Sequence, residues 1–148
     1  AVYGYVSCYR ETGDKEYLDF ATKIADMIMA RVKTDDAIPL WDYDAPEGEG
    51  TPRDASAASV TASALIEMST MVPVGKKYLD YAEKILKSLS SDAYLAKAGD
   101  NQGFILMHST GSLPNGSEID TPLNYADYYY MEALKRFMDL KGIEYKKL

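Results

Sequence analysis

The residues able to do chemistry in this chain gather in two turn-rich stretches and at the start of the last helical run. The first stretch reads Pro39-Leu40-Trp41-Asp42-Tyr43-Asp44-Ala45-Pro46 and, shortly after, Pro52-Arg53-Asp54-Ala55-Ser56-Ala57. Trp41 is the single tryptophan, and an aromatic ring in a loop can stack on the apolar face of a sugar. Asp42 and Asp44 fall on the same side of an extended segment. Paired carboxylates can divide general acid and base work on a glycosidic bond. The plainer alternative is that Trp41 packs beneath the loop and both aspartates are solvated. Arg53 has two open readings. Its planar guanidinium can hold a substrate carboxylate through two hydrogen bonds, or it can pair with Asp44 to fix the loop. Asp54 stands directly before an alanine-rich run, where a carboxylate accepts the free N–H groups of a helix's first turn.

The second stretch contains Met107-His108-Ser109-Thr110-Gly111-Ser112-Leu113-Pro114. His108 is the only histidine. Among small hydroxyl residues it can touch a ligand or hold the loop by hydrogen bonds. No third residue is placed by sequence to complete a Ser–His–Asp triad. The last run opens Asn124-Tyr125-Ala126-Asp127-Tyr128-Tyr129-Tyr130-Met131-Glu132. Its four tyrosines go all round a helix, so some must face an interior or a site. Asp127 and Glu132 fall on different faces and are not expected to act as a pair.

Composition removes several function classes. The chain has 148 residues and a net charge of −7, so no basic stripe is available for nucleic acid and no such partner is expected. One cysteine, Cys8, excludes an internal disulfide and a cysteine-based zinc site. A single histidine excludes a histidine-rich metal site. No membrane-spanning run and no leader peptide are read, so no membrane contact is expected. The compartment stays open between a bacterial periplasm and cytoplasm. Thirteen tyrosines against three phenylalanines suit a wet cavity as well as a core, since the ring is apolar and the tip polar.

The elements that must position these residues follow from a repeat. Lys15-Glu16-Tyr17-Leu18-Asp19-Phe20-Ala21 aligns without gaps on Lys76-Lys77-Tyr78-Leu79-Asp80-Tyr81-Ala82, an offset of 61 residues. Self-similarity at a fixed period marks a repeated supersecondary unit. Each copy has apolar residues at helical spacing and follows another helix across a tight turn, Thr12-Gly13-Asp14 or Val72-Pro73-Val74-Gly75. The spacing predicts helices over Ala1–Arg10, Lys15–Val32, Ala55–Thr70, Lys76–Ser90 and Asn124–Leu140. The small residues Ala57, Ala58, Ser59, Ala62, Ser63 and Ala64 allow close helix approach and suit an inner ring. The repeat helices carry Lys, Glu and Asp on one face and suit an outer ring. The expected fold is all-α: helical hairpins forming part of an (α/α)6 toroid, with about two and a half hairpins present. A tetratricopeptide-like solenoid would repeat at about 34 residues instead. The long return loops, residues 33–53 and 91–122, are where a site gathers on such a scaffold. The opening Ala1-Val2-Tyr3-Gly4-Tyr5 reads as the inside of an element, so the start is expected to be a cut.

Several of these segments are familiar. Asp44-Ala45-Pro46 with Pro52-Arg53-Asp54-Ala55-Ser56-Ala57-Ala58 resembles glycoside hydrolase family 88, the unsaturated glucuronyl hydrolases. So do His108-Ser109-Thr110-Gly111-Ser112 with Pro114, and Tyr125-Ala126-Asp127-Tyr128-Tyr129 with Glu132-Ala133-Leu134. The opening through Tyr9-Arg10-Glu11-Thr12-Gly13-Asp14 is similar as well, so the likeness spans nearly the whole chain in order. The resemblance implies an (α/α)6 barrel of which residues 1–148 are the C-terminal portion, with the N-terminal portion absent. It implies an enzyme that removes a 4,5-unsaturated uronic acid from the non-reducing end of polysaccharide-lyase products. An aspartate protonates the enol-ether double bond, water adds, and the hemiketal collapses. No metal or organic cofactor is implied. The catalytic aspartates of the family lie upstream of this segment, so no catalytic residue is expected here. Arg53, Ser56, His108, Ser109, Asn124 and Tyr125 are the expected substrate-binding residues. The substrate partner is an unsaturated oligosaccharide, and self-association through exposed faces of the first and last helices is a further expectation. An unsaturated rhamnogalacturonyl hydrolase and a non-catalytic helical-repeat binding module are the alternatives.

Overall fold

The computed structural model describes residues 1–46 and 48–144. Among them are five α-helices: α1 (Val2–Thr12), α2 (Lys15–Arg31), α3 (Ala55–Ser69), α4 (Gly75–Leu89) and α5 (Asn124–Lys141). The loops between them carry isolated bridges but no strand among the described residues. The boundaries fall within two residues of those read from the sequence.

Local chemistry explains the hairpins. Gly13 ends α1 in the left-handed conformation, φ 70°, and donates its N–H to Tyr9 O at 2.8 Å. This is the C-terminal stop that glycine permits. Asp14 then caps α2 by accepting the Glu16 N–H at 3.0 Å. The equivalent turn before α4 depends on Gly75, where a Cβ would overlap the backbone carbonyl of Ser69.

Packing sorts the helices into two layers. α3 is central and packs on α1, α4 and α5, while α2 packs on α1. Most of α3 is buried, including Ala58, Ser59, Ala62, Ser63 and Ala64, and these small side chains let three neighbours approach it. α1, α3 and α5 therefore form the inner row, with α2 and α4 behind it. The 61-residue correspondence holds in the packing: Ala21 of α2 and Ala82 of α4 are both fully buried. The two outer helices meet at Asp26, which accepts Lys77 Nζ at 2.7 Å and the Tyr78 hydroxyl at 2.9 Å.

Polar contacts tie the inner row. Glu132 of α5 accepts Ser63 Oγ of α3 at 2.5 Å and the Tyr3 hydroxyl of α1 at 3.1 Å. Arg136 of α5 and Arg10 of α1 converge on Glu67 of α3 at 2.9 and 2.7 Å. Half-buried ions are tolerable because each has a partner. No helix among the described residues is long and apolar enough to cross a membrane.

The apolar edges differ from expectation at one end. α5 exposes Tyr128 and Met131 as expected. α1 does not: its exposed positions include Gly4, Cys8, Arg10 and Glu11, while Val2 and Val6 are buried. The exposed apolar residues at that end are Phe20 and Met27 of α2. Tyr5 of α1 leans towards them, its ring centroid 5.0 Å from that of Phe20. Helical periodicity alone could not tell which of two adjacent helices would shield the other.

Candidate functional site

The two return loops meet at the N-terminal ends of α3 and α5. Asp54 organises the junction. One of its carboxylate oxygens accepts the Ser56 N–H at 2.9 Å and Ser56 Oγ at 2.6 Å, and lies 3.3 Å from the Thr110 N–H. It is thus both the cap of α3 and the anchor of the second loop. The Ala55 N–H donates to His108 O at 3.0 Å, and Thr110 Oγ1 donates to Arg53 O at 2.9 Å. On the α5 side, Asp127 accepts the N–H groups of Ile105 and Leu106, each at 2.8 Å.

Arg53 faces back into its own loop. Its Nη1 donates to Ile38 O at 2.8 Å and lies 3.6 Å from Asp36. Asp44 pairs instead with Arg31 at 2.9 Å, so the Arg53–Asp44 reading is replaced by Arg53–Asp36. Asp42 and Asp44 do not form a pair on an extended segment either. Asp42 accepts the backbone N–H of Asp44 at 2.8 Å, which curls the chain into a turn, as short polar side chains do.

Asp36 is a half-buried charge of this loop. It accepts the Tyr94 hydroxyl at 2.6 Å and the Ile38 N–H at 3.1 Å. Burial pushes its carboxyl up, but the Tyr94 hydroxyl, the Ile38 N–H and the Arg53 charge outweigh that and hold it below the ordinary aspartate value. Burial, and then the bond to Asp36, drive the Tyr94 phenol far above its usual value.

His108 has φ 62°, a left-handed conformation that costs energy in a residue with a side chain. Its Nδ1 lies 2.5 Å from Asp120 Oδ1, and its ring meets Tyr94 edge-on at 6.0 Å between centroids. The following residues pair, Ser109 with Thr121. The half-exposed His108 is followed by Ser109 and Thr110, which are both buried.

Ser56 and Tyr125 are brought together. Burial raises the Tyr125 phenol, the charges of Glu118 and Asp54 raise it further, and a hydrogen bond with Ser56 opposes them. Asn124 begins α5 and is exposed beside Tyr125. Of the six residues read from sequence, Ser56 and Tyr125 touch. Arg53 and His108 both approach Tyr94, Arg53 through Asp36. Among the described residues, Asn124 and Ser109 have no shared partner. Sequence reasoning missed Asp36, Tyr94, Glu118 and Asp120. Two of these, Glu118 and Asp120, have positive φ, a local strain with no signature in residue type.

An inner row of small-residue helices, an outer row behind it, and polar loops gathered at one end are the form of part of a helical toroid. Residues 1–146 match the model described as glycosyl hydrolase family 47, and the chain belongs to that family. This number is not the family 88 of the motif resemblance. The named relatives, in contrast, are those the motifs implied. The chain is 45% identical over 141 residues to an unsaturated glucuronyl hydrolase of Formosa agariphila, covering 95% of this chain and 35% of that protein. A crystal structure of an unsaturated glucuronyl hydrolase specific for heparin is 56% identical with a TM-score of 0.95, covering 99% of this chain and 40% of that one. A mutant of the Streptococcus agalactiae enzyme, complexed with dGlcA-GalNAc6S, is 26% identical with a TM-score of 0.85, covering 99% of this chain and 38% of that one. The chain thus spans well under half the length of these relatives.

Proposed function

We propose that residues 1–148 are the C-terminal portion of one (α/α)6 barrel and act, within that longer ring, as part of an unsaturated glucuronyl hydrolase of the family 88 type. The observation that carries this reading is the 56% identity and 0.95 TM-score to the heparin-specific enzyme. The match to glycosyl hydrolase family 47 supports kinship with glycosidases, and the named relatives support the particular reaction. They favour it over a rhamnogalacturonyl hydrolase and over a non-catalytic binding module.

In this reading an aspartate outside the chain protonates the enol ether of a 4,5-unsaturated uronic acid. Water adds at the neighbouring carbon, the hemiketal collapses, and the remaining sugar leaves. This chain supplies one wall of the bowl. Arg53, Ser56, His108, Ser109, Asn124 and Tyr125 are the proposed lining. His108 and Tyr125 present polar tips at the loop end, and Ser56 acts through Tyr125. Ser109 is buried, so its role is to seat the His108 turn. The proposed substrates are heparin-type unsaturated disaccharides in preference to chondroitin-type ones, because identity is higher to the heparin-specific structure than to the Streptococcus agalactiae enzyme.

The test is a substrate panel. The complete ring is given unsaturated disaccharides from heparin-type and chondroitin-type lyases, and kcat/KM is compared. Higher kcat/KM on the heparin-type products is expected. Preference for the chondroitin type would refute the substrate reading, and no turnover of either would refute the reaction.

A further inference from the structure

We propose that Asp36 and Tyr94 are a positioning pair: their hydrogen bond ties the two return loops together and so sets Arg53 and His108 in place on the wall that receives the sugar. The inference rests on the reading of this chain as one wall of a bowl for unsaturated oligosaccharides.

The pair joins two stretches of chain 58 residues apart. The Tyr94 hydroxyl donates to one oxygen of Asp36 at 2.6 Å. The other oxygen accepts the Ile38 N–H at 3.1 Å and lies 3.6 Å from Arg53 Nη1. That Nη1 also donates to Ile38 O at 2.8 Å, so one end of the guanidinium is fixed to the first loop. Among the described residues its Nε and Nη2 make no hydrogen bond, and Arg53 borders an open cleft of about 370 Å³. On its other side Tyr94 holds the second loop twice. Its ring meets that of His108 edge-on at 6.0 Å, and its carbonyl accepts the Met107 N–H at 2.8 Å. Tyr94 is buried, so it acts through these neighbours and not by touching the sugar.

The chemistry of the pair makes it a strong tie. Burial and the bond to Asp36 raise the Tyr94 phenol, and despite its own burial the Asp36 carboxyl is held low by Tyr94, Ile38 and Arg53. At neutral pH the hydroxyl therefore donates to an ionised carboxylate, and a hydrogen bond to a charged group is among the stronger kinds. It crosses from one loop to the other. Loops without such ties are the mobile parts of a fold. With the tie in place both loops are formed before the sugar arrives, so binding does not have to order them. Residues that only hold substrate contribute alike to the ground state and the transition state, so misplacing them raises KM and leaves kcat.

The experiment uses the complete ring as wild type, Y94F, D36N and the double variant. Initial rates on the unsaturated disaccharide that wild type cleaves fastest give kcat and KM separately. Y94F removes the hydroxyl and keeps the ring against His108. D36N removes the charge beside Arg53 and leaves one acceptor oxygen in place of two. Each single variant is expected to raise KM about tenfold with kcat within about twofold of wild type. The double variant should raise KM about as far as the worse single one, because both break the same bond. If one single variant does not fold, the other decides. A merely structural pair would lower the amount of active enzyme, so that kcat falls and KM stays. That result, a KM unmoved in both single variants, or effects that simply multiply in the double variant would overturn the proposal and leave the function above standing. A wild type that cleaves no unsaturated disaccharide overturns both.

Discussion

The Asp127 carboxylate on α5 accepts the N–H of Ile105 at 2.8 Å and, with its other oxygen, that of Leu106. The last inner helix thus holds the second return loop by its backbone at Ile105 and Leu106, while Asp54 holds it again at Thr110. Asp127→Ala leaves two half-buried N–H groups without a partner. A loss of about 2–3 kcal/mol is expected, since an orphaned buried donor costs more than the bond itself contributed. Asp127→Asn, which keeps one acceptor oxygen, should lose about half as much. Urea unfolding of the three proteins checks this.

Asp54 joins a cap and a loop anchor in one side chain. Asp54→Ala should cost about 2 kcal/mol or more, beyond the cost of about 1 typical of an N-cap alone. Asp54→Asn keeps the acceptor and should recover most of it. Hydrogen exchange at Thr110 separates the roles, because loss of the anchor should speed exchange there as well as in the first turn of α3.

The acid limb of stability should depend on Asp36. Its folded carboxyl is held below the ordinary value by Tyr94, Ile38 and Arg53. A depressed carboxyl stabilises the fold above its unfolded pKa of about 3.9 and loses that stabilisation as pH falls through the lower folded value. Wild type should therefore lose stability steadily below about pH 4. Asp36→Asn should be less stable at neutral pH, with a shallower acid slope. Chemical denaturation from pH 7 to pH 3 measures both.

Gly75→Ala tests the turn of the second hairpin. The added Cβ meets the backbone carbonyl of Ser69, which cannot swing aside as a side chain would. A cost of about 2–3 kcal/mol is expected, visible as a lower Tm. Gly4→Ala on α1, where a Cβ meets nothing within 4 Å, should be neutral or stabilising and serves as the control.

The hairpins were readable in the sequence because helices report themselves. Ala21 and Ala82 recur at the repeat period and are both buried, and Gly13 stops α1 where a left-handed residue is needed. The small-residue run of α3 marked the inner row for the same reason. The site was less readable. Tyr94 and Asp36 lie 58 residues apart, and neither belongs to a periodic element, so nothing in the sequence pairs them. Asp42 and Asp44 looked like an extended pair because spacing says nothing of a turn that the side chain itself makes. Arg53 was read as a partner of a substrate carboxylate or of Asp44, but the fold sets it beside Asp36 and gives Asp44 to Arg31. Glu118 was invisible because its position depends on a glycine seven residues away and on a positive φ of its own.

The most direct test of the whole account is to follow the ultraviolet absorbance of the unsaturated uronic acid with residues 1–148 alone and with the complete ring, at equal concentration. Circular dichroism should first show that the shorter chain is helical. The account predicts no loss of absorbance with residues 1–148, because a proton donor must sit within hydrogen-bond reach of the reacting carbon and the proposed donor lies outside the chain. It predicts steady loss with the complete ring. Robust loss with residues 1–148 alone would contradict it, and so would no loss with the complete ring across several lyase products.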